Sequence, residues 1–136
     1  MLEFSRALLV SSMPKYVLWK LRGRPGPIDL EFKAGGHVRM DATSQGPAYE
    51  VFVEHAYDSP RRIDPLAVHR IVDLGANVGM SVLFWLQAYP RARIEAFEPH
   101  PAHIARLRVN VGLNAADARI IIHPTAAGVR SARMEL

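Results

Sequence analysis

Five residues carry types and spacings that could do chemistry: Asp73, Gly75, Asn77, Gly79 and Glu98. The first four lie in Ile71–Gly79, IVDLGANVG, where an apolar run ends in Asp73 and two glycines bracket a tight turn. A helix-like run, Met80–Tyr89, follows at once. A strand, a glycine turn and a helix N-terminus present backbone N–H groups and the positive end of a helix dipole to a ligand. About twenty residues beyond Gly79, the spacing of a ribose-holding acid in nucleotide-binding units, a second apolar run, Ile94–Phe97, ends in Glu98. The two carboxylate oxygens of Glu98 could accept from both hydroxyls of a ribose. Asp73 could hold the turn or, through water, a cationic amino group. Asn77 suits a left-handed turn position and can also bond a ligand. Together these residues point to a nucleotide-type cofactor.

The elements that must position them form a regular series. A strand at 70–74 is followed by a helix at 79–89, a strand at 93–97, a helix at 101–113 and a strand at 119–123. Strand-helix alternation with short connections predicts a parallel sheet. The strand segments IVDL, IEAF and RIII are so apolar that both faces are expected to be covered, giving a three-layer, Rossmann-like α/β sandwich. The first helix has only Ser81 and Gln87 as polar residues between Met80 and Tyr89, which predicts burial around most of its circumference. In the second, Ile104, Leu107 and Val111 form one stripe, with Arg106, Arg108 and Asn110 elsewhere.

Upstream, residues 1–22 read as two short helical pieces interrupted by Pro14, with Leu2, Leu8, Leu9, Val17, Leu18 and Leu21 as packing positions. GRPGP at Gly23–Pro27 reads as a linker. Ile28, Leu30 and Phe32, then Val38 and Met40, alternate with polar residues around Gly35-Gly36, which predicts a hairpin. Thr43 and Ser44 are candidate caps for a helix with Pro47 in its first turn, Val51 and Phe52 inward and an end near Tyr57. Asp58-Ser59-Pro60 reads as a turn. We therefore expect a helical and β-hairpin region at 1–44 and the cofactor-binding domain at 45–136.

Composition removes several function classes. With hydrophobic residues at 49% and charged residues at 22%, the chain can build a core and does not read as disordered. The absence of cysteine excludes disulfides, zinc-thiolate sites and thiol chemistry. The net charge of +4 comes from scattered arginines, with only Arg61-Arg62 adjacent, so no nucleic-acid partner is expected. No apolar stretch nears the roughly 20 residues of a membrane span, and MLEFSRALLVSSM lacks a basic leader and a cleavage site. The expected setting is cytoplasmic, without a membrane partner. His100 and His103 lie three apart with no third ligand at fitting spacing, so they read as surface helix residues and no metal is expected. Ser81 lacks a G-x-S-x-G setting and reads as a first-turn residue rather than a nucleophile. Trp19 and Trp85 read as core.

DLGANVG followed by AFEPHP resembles the FkbM-type branch of the class I S-adenosylmethionine-dependent methyltransferases. Leu107, Asn110 and Asn114 extend the likeness, and it reaches back to Tyr57-Asp58, covering about residues 45–128. The resemblance implies S-adenosylmethionine as cofactor and methyl transfer to a hydroxyl of a sugar, polyketide or similar small metabolite. It implies that Asp73, Gly75, Asn77 and Gly79 line the methionine end and that Glu98 holds the ribose. Members of that branch continue into a fourth strand with a lysine-acid-Glu-Gly signature, whereas this sequence stops at Ser131–Leu136 after the third. The expectation is a first half, apparently truncated after the third core strand, with a second chain or self-association covering the open sheet edge. No general base is assigned. Two rivals stand beside this reading: an inactive remnant or interaction module, and a NAD-binding domain, which prefers the G-x-G-x-x-G that is absent here.

Overall fold

The computed structural model describes residues 13–31, 36–52, 57 and 63–128. The chain divides into two compact units, residues 1–61 and 62–136. The expected first helical piece within 1–12, the hairpin tip at Phe32–Gly35, the turn Asp58-Ser59-Pro60 and the tail Ser131–Leu136 lie outside the described residues.

In the first unit, α1 (Met13–Leu21) starts at the position where Pro14 was expected to interrupt a helix. A proline in the first turn removes only an N–H that has no helical partner, so this helix tolerates it there. The buried side of α1 is Tyr16 and Trp19, while the expected packing positions Val17, Leu18 and Leu21 are exposed. Trp19 Nε1 donates to the Gly26 carbonyl at 2.8 Å, so the predicted linker is a held turn. Strands β1 (Ile28–Glu31) and β2 (His37–Met40) pair antiparallel, with Ile28 opposite Met40 and Leu30 opposite Val38. All four of these side chains are buried, as the alternation requires.

A single 3₁₀ turn, Ala42–Ser44, then leads into α2 (Gln45–Phe52). The cap is Asp41 rather than Thr43 or Ser44. Its Oδ1 accepts from the backbone N–H of Thr43 at 2.8 Å and of Ser44 at 3.1 Å. The extra turn moves the cap upstream, where a carboxylate can take two free amides at once. Helix α2 falls in the first compact unit, which runs to Arg61.

The second unit holds the parallel sheet. Strands β3 (Arg70–Leu74), β4 (Arg93–Phe97) and β5 (Ile120–His123) pair in the order β3-β4-β5, with Ile71 opposite Ile94 and Ile94 opposite Ile120. Helices α3 (Met80–Ala88) and α4 (Pro101–Leu113) make the crossovers. Both crossovers advance in one direction across the sheet, so both helices pack on one face. There Val82 of α3 and Leu107 and Val111 of α4 close over Ile94, Ala96 and Ile120.

The opposite face carries Val72, Leu74 and Ile121, which are 52%, 61% and 58% exposed. The expected α/β fold with parallel strands is present. Of the three expected layers, the described residues build two, because a helix on the second face needs a crossover running the other way from β3. Among the described residues β3 has no strand on its outer side.

Candidate functional site

The five residues singled out in the sequence meet at the carboxyl ends of β3 and β4. The turn between β3 and α3 needs three left-handed positions, and Gly75, Asn77 and Gly79 supply them with φ of 85°, 49° and 92°. Asparagine is the residue after glycine best suited to that conformation. Gly79 meets a second demand. A Cβ there would lie 2.6 Å from Leu107 Cδ1, so the turn can approach α4 only without a side chain. A Cβ on Gly75 would meet nothing within 4 Å, and its side of the turn opens outward. Gly79 is also the N-cap of α3 and offers no side-chain cap, so the first amides of that helix keep their donors for other partners.

The backbone stitches the turn to β4. Both Gly75 N–H and Ala76 N–H donate to the Phe97 carbonyl, at 2.9 and 3.0 Å. Glu98, only 5% exposed, completes the join. Its Oε2 accepts from Asn77 N–H at 2.9 Å, and its Oε1 accepts from His100 N–H at 2.9 Å and lies 3.2 Å from His103 Nδ1. The acid that closes the second strand is thus bonded to the turn that closes the first. Of roughly four acceptor positions on the carboxylate, three are filled. Oε2 keeps one for a further donor.

Asp73 points to the helix-covered face and is 7% exposed. Ser81 Oγ donates to its Oδ2 at 2.6 Å. Burial pushes the Asp73 carboxyl above its ordinary value, and the Ser81 hydrogen bond only partly opposes this. A cationic group brought beside Asp73 would favour its charged form and reverse that direction.

Four residues around the site were not assigned there from sequence. Ser81 reads as a first-turn residue, and so it is, but it also holds Asp73. Asn110 was placed off the apolar stripe of its helix, yet it is 1% exposed and its Nδ2 donates to the Val78 carbonyl at 2.8 Å. Asn114 Nδ2 in turn donates to the Asn110 carbonyl at 2.7 Å. The available signal was spacing: Asn110 lies three residues after Leu107 and beside Val111, so it borders the buried stripe. His103 reads as a surface helix residue, and it reaches Glu98 because the start of α4 turns back over the strand end. Among the described residues no group of three or more His, Asp or Glu side chains could hold a metal. No described helix is long and apolar enough to cross a membrane.

No family model matches the chain. Among curated proteins, the methyltransferase sdnD of Sordaria araneosa is 41% identical over 66 residues, which is 48% of this chain and 24% of sdnD. The AMB antimetabolite synthetase AmbE of Pseudomonas aeruginosa is 39% identical over 64 residues, 46% of this chain and 3% of AmbE. This chain therefore spans a quarter or less of the curated relatives it matches. Among solved structures, PH0793 of Pyrococcus horikoshii superimposes with a TM-score of 0.53 at 19% identity, over 74% of this chain and 36% of that one. TYW2 of P. horikoshii, solved with MeSAdo, gives a TM-score of 0.51 at 17% identity, over 82% of this chain and 46% of TYW2. The chain has the Rossmann-like α/β fold it shares with these two structures. Its sequence likeness to the methyltransferase sdnD and to the synthetase AmbE covers about half of this chain.

Proposed function

We propose that this chain is the cofactor-binding part of an S-adenosylmethionine-dependent methyltransferase. The observation that carries the reading is the junction of the glycine turn and Glu98, which puts a hydroxyl acceptor beside a turn rich in backbone donors. The likeness to sdnD supports the same reading. The residues fit such a ligand. Gly75 leaves open the space a Cβ would fill, and Oε2 of Glu98 keeps an acceptor position for a ribose hydroxyl. Asp73 is a buried carboxyl that an ammonium group would satisfy. When bound, S-adenosylmethionine supplies a methyl group already activated by its sulfonium.

The chain's own residues then have limited tasks. Asp73, Gly75, Asn77 and Gly79 bind the methionine end, and Glu98 orients the ribose. Fixed orientation of this kind accounts for much of the rate gain when the leaving group is already activated. Within this reading the acceptor is a hydroxyl of a sugar, polyketide or other small metabolite, as in FkbM-type enzymes, and the setting is cytoplasmic, without nucleic-acid or membrane partners. The exposed face of Val72, Leu74 and Ile121, together with the outer side of β3, is where a second chain or second copy would add.

Calorimetric titration with S-adenosylhomocysteine tests the proposal, with NAD as the control ligand and Glu98→Ala as the control protein. We expect binding in the micromolar range that Glu98→Ala weakens at least tenfold, about 1.4 kcal/mol. Absence of binding by the folded wild-type chain would leave an inactive remnant or interaction module. Binding of NAD instead would reassign the cofactor.

A further inference from the structure

Glu98 must present one particular lone pair to a ligand, and its carboxylate can turn about its last side-chain bond. Two backbone donors reach it from opposite sides, Asn77 N–H on Oε2 and His100 N–H on Oε1, both at 2.9 Å. The remaining donor is a side chain. His103 Nδ1 lies 3.2 Å from Oε1 and, since a carboxylate only accepts, donates to it in the tautomer that carries the proton on Nδ1. The ring is held for this task. It stacks on His100, with centroids 4.5 Å apart and planes 28° from parallel. His100 is in turn fixed as the cap of α4, its Nδ1 accepting from Ala102 N–H at 3.2 Å. The His100 N–H goes to Glu98, two residues upstream, leaving the third helical position, His103, free to face the same oxygen. With Oε1 saturated by two donors, the open acceptor position is on Oε2, next to the glycine turn.

We propose that His103 is a positioning residue of the ligand site: it saturates Oε1 of Glu98 and so commits Oε2 to a ribose hydroxyl. The inference rests on the S-adenosylmethionine reading above and adds to it the residue that sets the ribose contact. His103 is half-exposed, so its replacement leaves the core intact.

The test is titration of the wild type, His103→Leu and His103→Asn with S-adenosylhomocysteine and with its 2′,3′-dideoxy analogue. Asparagine carries an N–H donor at the position of the histidine Nδ1, whereas leucine carries none. The expected result is a five- to tenfold weakening in His103→Leu, about what one lost hydrogen bond costs, with His103→Asn restored to about twofold of wild type. For the dideoxy analogue, which gives Glu98 no hydroxyl to accept from, wild type and His103→Leu should bind alike. Equal weakening of both ligands in His103→Leu, or no weakening of either, would overturn the proposal while leaving the cofactor reading in place. A wild-type chain that binds neither ligand would overturn both.

Discussion

Asp29 and Asp73 are both strand carboxylates with a short hydrogen bond, and they respond to their surroundings in opposite directions. Asp29, in the hairpin, is bonded at both oxygens by Arg39, each contact 2.6 Å, and both side chains are nearly half exposed. The Arg39 hydrogen bonds hold its carboxyl below the ordinary value. Asp73, in the parallel sheet, has the Ser81 hydroxyl at 2.6 Å, and burial pushes its carboxyl up. The exposed pair is screened by water and has little weight. The buried group is costly until a cation joins it. The proposed ligand site thus takes in the carboxylate whose burial is only partly compensated, while the exposed Asp29–Arg39 pair is a surface contact of the hairpin.

The largest effect is expected where the site has no spare room. Gly79→Ala forces a Cβ to 2.6 Å from the buried Leu107 and keeps a left-handed backbone, so we expect a loss of about 2–4 kcal/mol by urea denaturation. Gly75→Ala, with φ of 85° but open space around it, should cost only about 1 kcal/mol. Equal losses would show that backbone strain, and not the approach to α4, dominates at Gly79.

Next, Asn110→Ala leaves the Val78 carbonyl without its side-chain donor, a cost of about 1–3 kcal/mol by the same measurement. Asp73→Asn removes the buried charge and keeps an acceptor for Ser81. A carboxyl whose folded value is raised stabilises the fold below its unfolded value and loses that contribution as pH rises through the folded one. The variant should thus unfold at a higher midpoint than wild type at pH 7, with the gap closing as pH falls toward the ordinary value of 3.8. A gap that stays constant with pH would contradict the burial argument. Smallest of all, Arg39→Ala should leave the denaturation midpoint unchanged within error, because the pair it breaks is solvated.

Much of this was legible in the sequence because the relevant signals are local. Apolar runs ending in Asp73 and Glu98 located two strands, and the glycines with Asn77 located the turn between β3 and α3. The cover of the sheet was not legible. Val72, Leu74 and Ile121 are as apolar as their buried neighbours, and composition cannot say which face a helix covers. Direction of crossover decides that, and both crossovers here run the same way. The partners of Glu98 were hidden for a related reason. Backbone N–H groups exist at every residue other than proline, so nothing in the sequence singles out Asn77 and His100 as donors. In α1 a run of leucine and valine suggested the inward side, but the aromatic rings took it, since Tyr16 and Trp19 bury more area per residue.

The central claim is that the carboxyl ends of β3 and β4 form the cofactor site, and amide chemical shifts of the labelled chain during titration with S-adenosylhomocysteine test it most directly. The account predicts saturable shifts at Gly75–Gly79, Glu98, His100 and His103, with Ile28–Glu31 and His37–Met40 unmoved. Shifts centred on the hairpin, or none at the turn while ligand is bound, would contradict it.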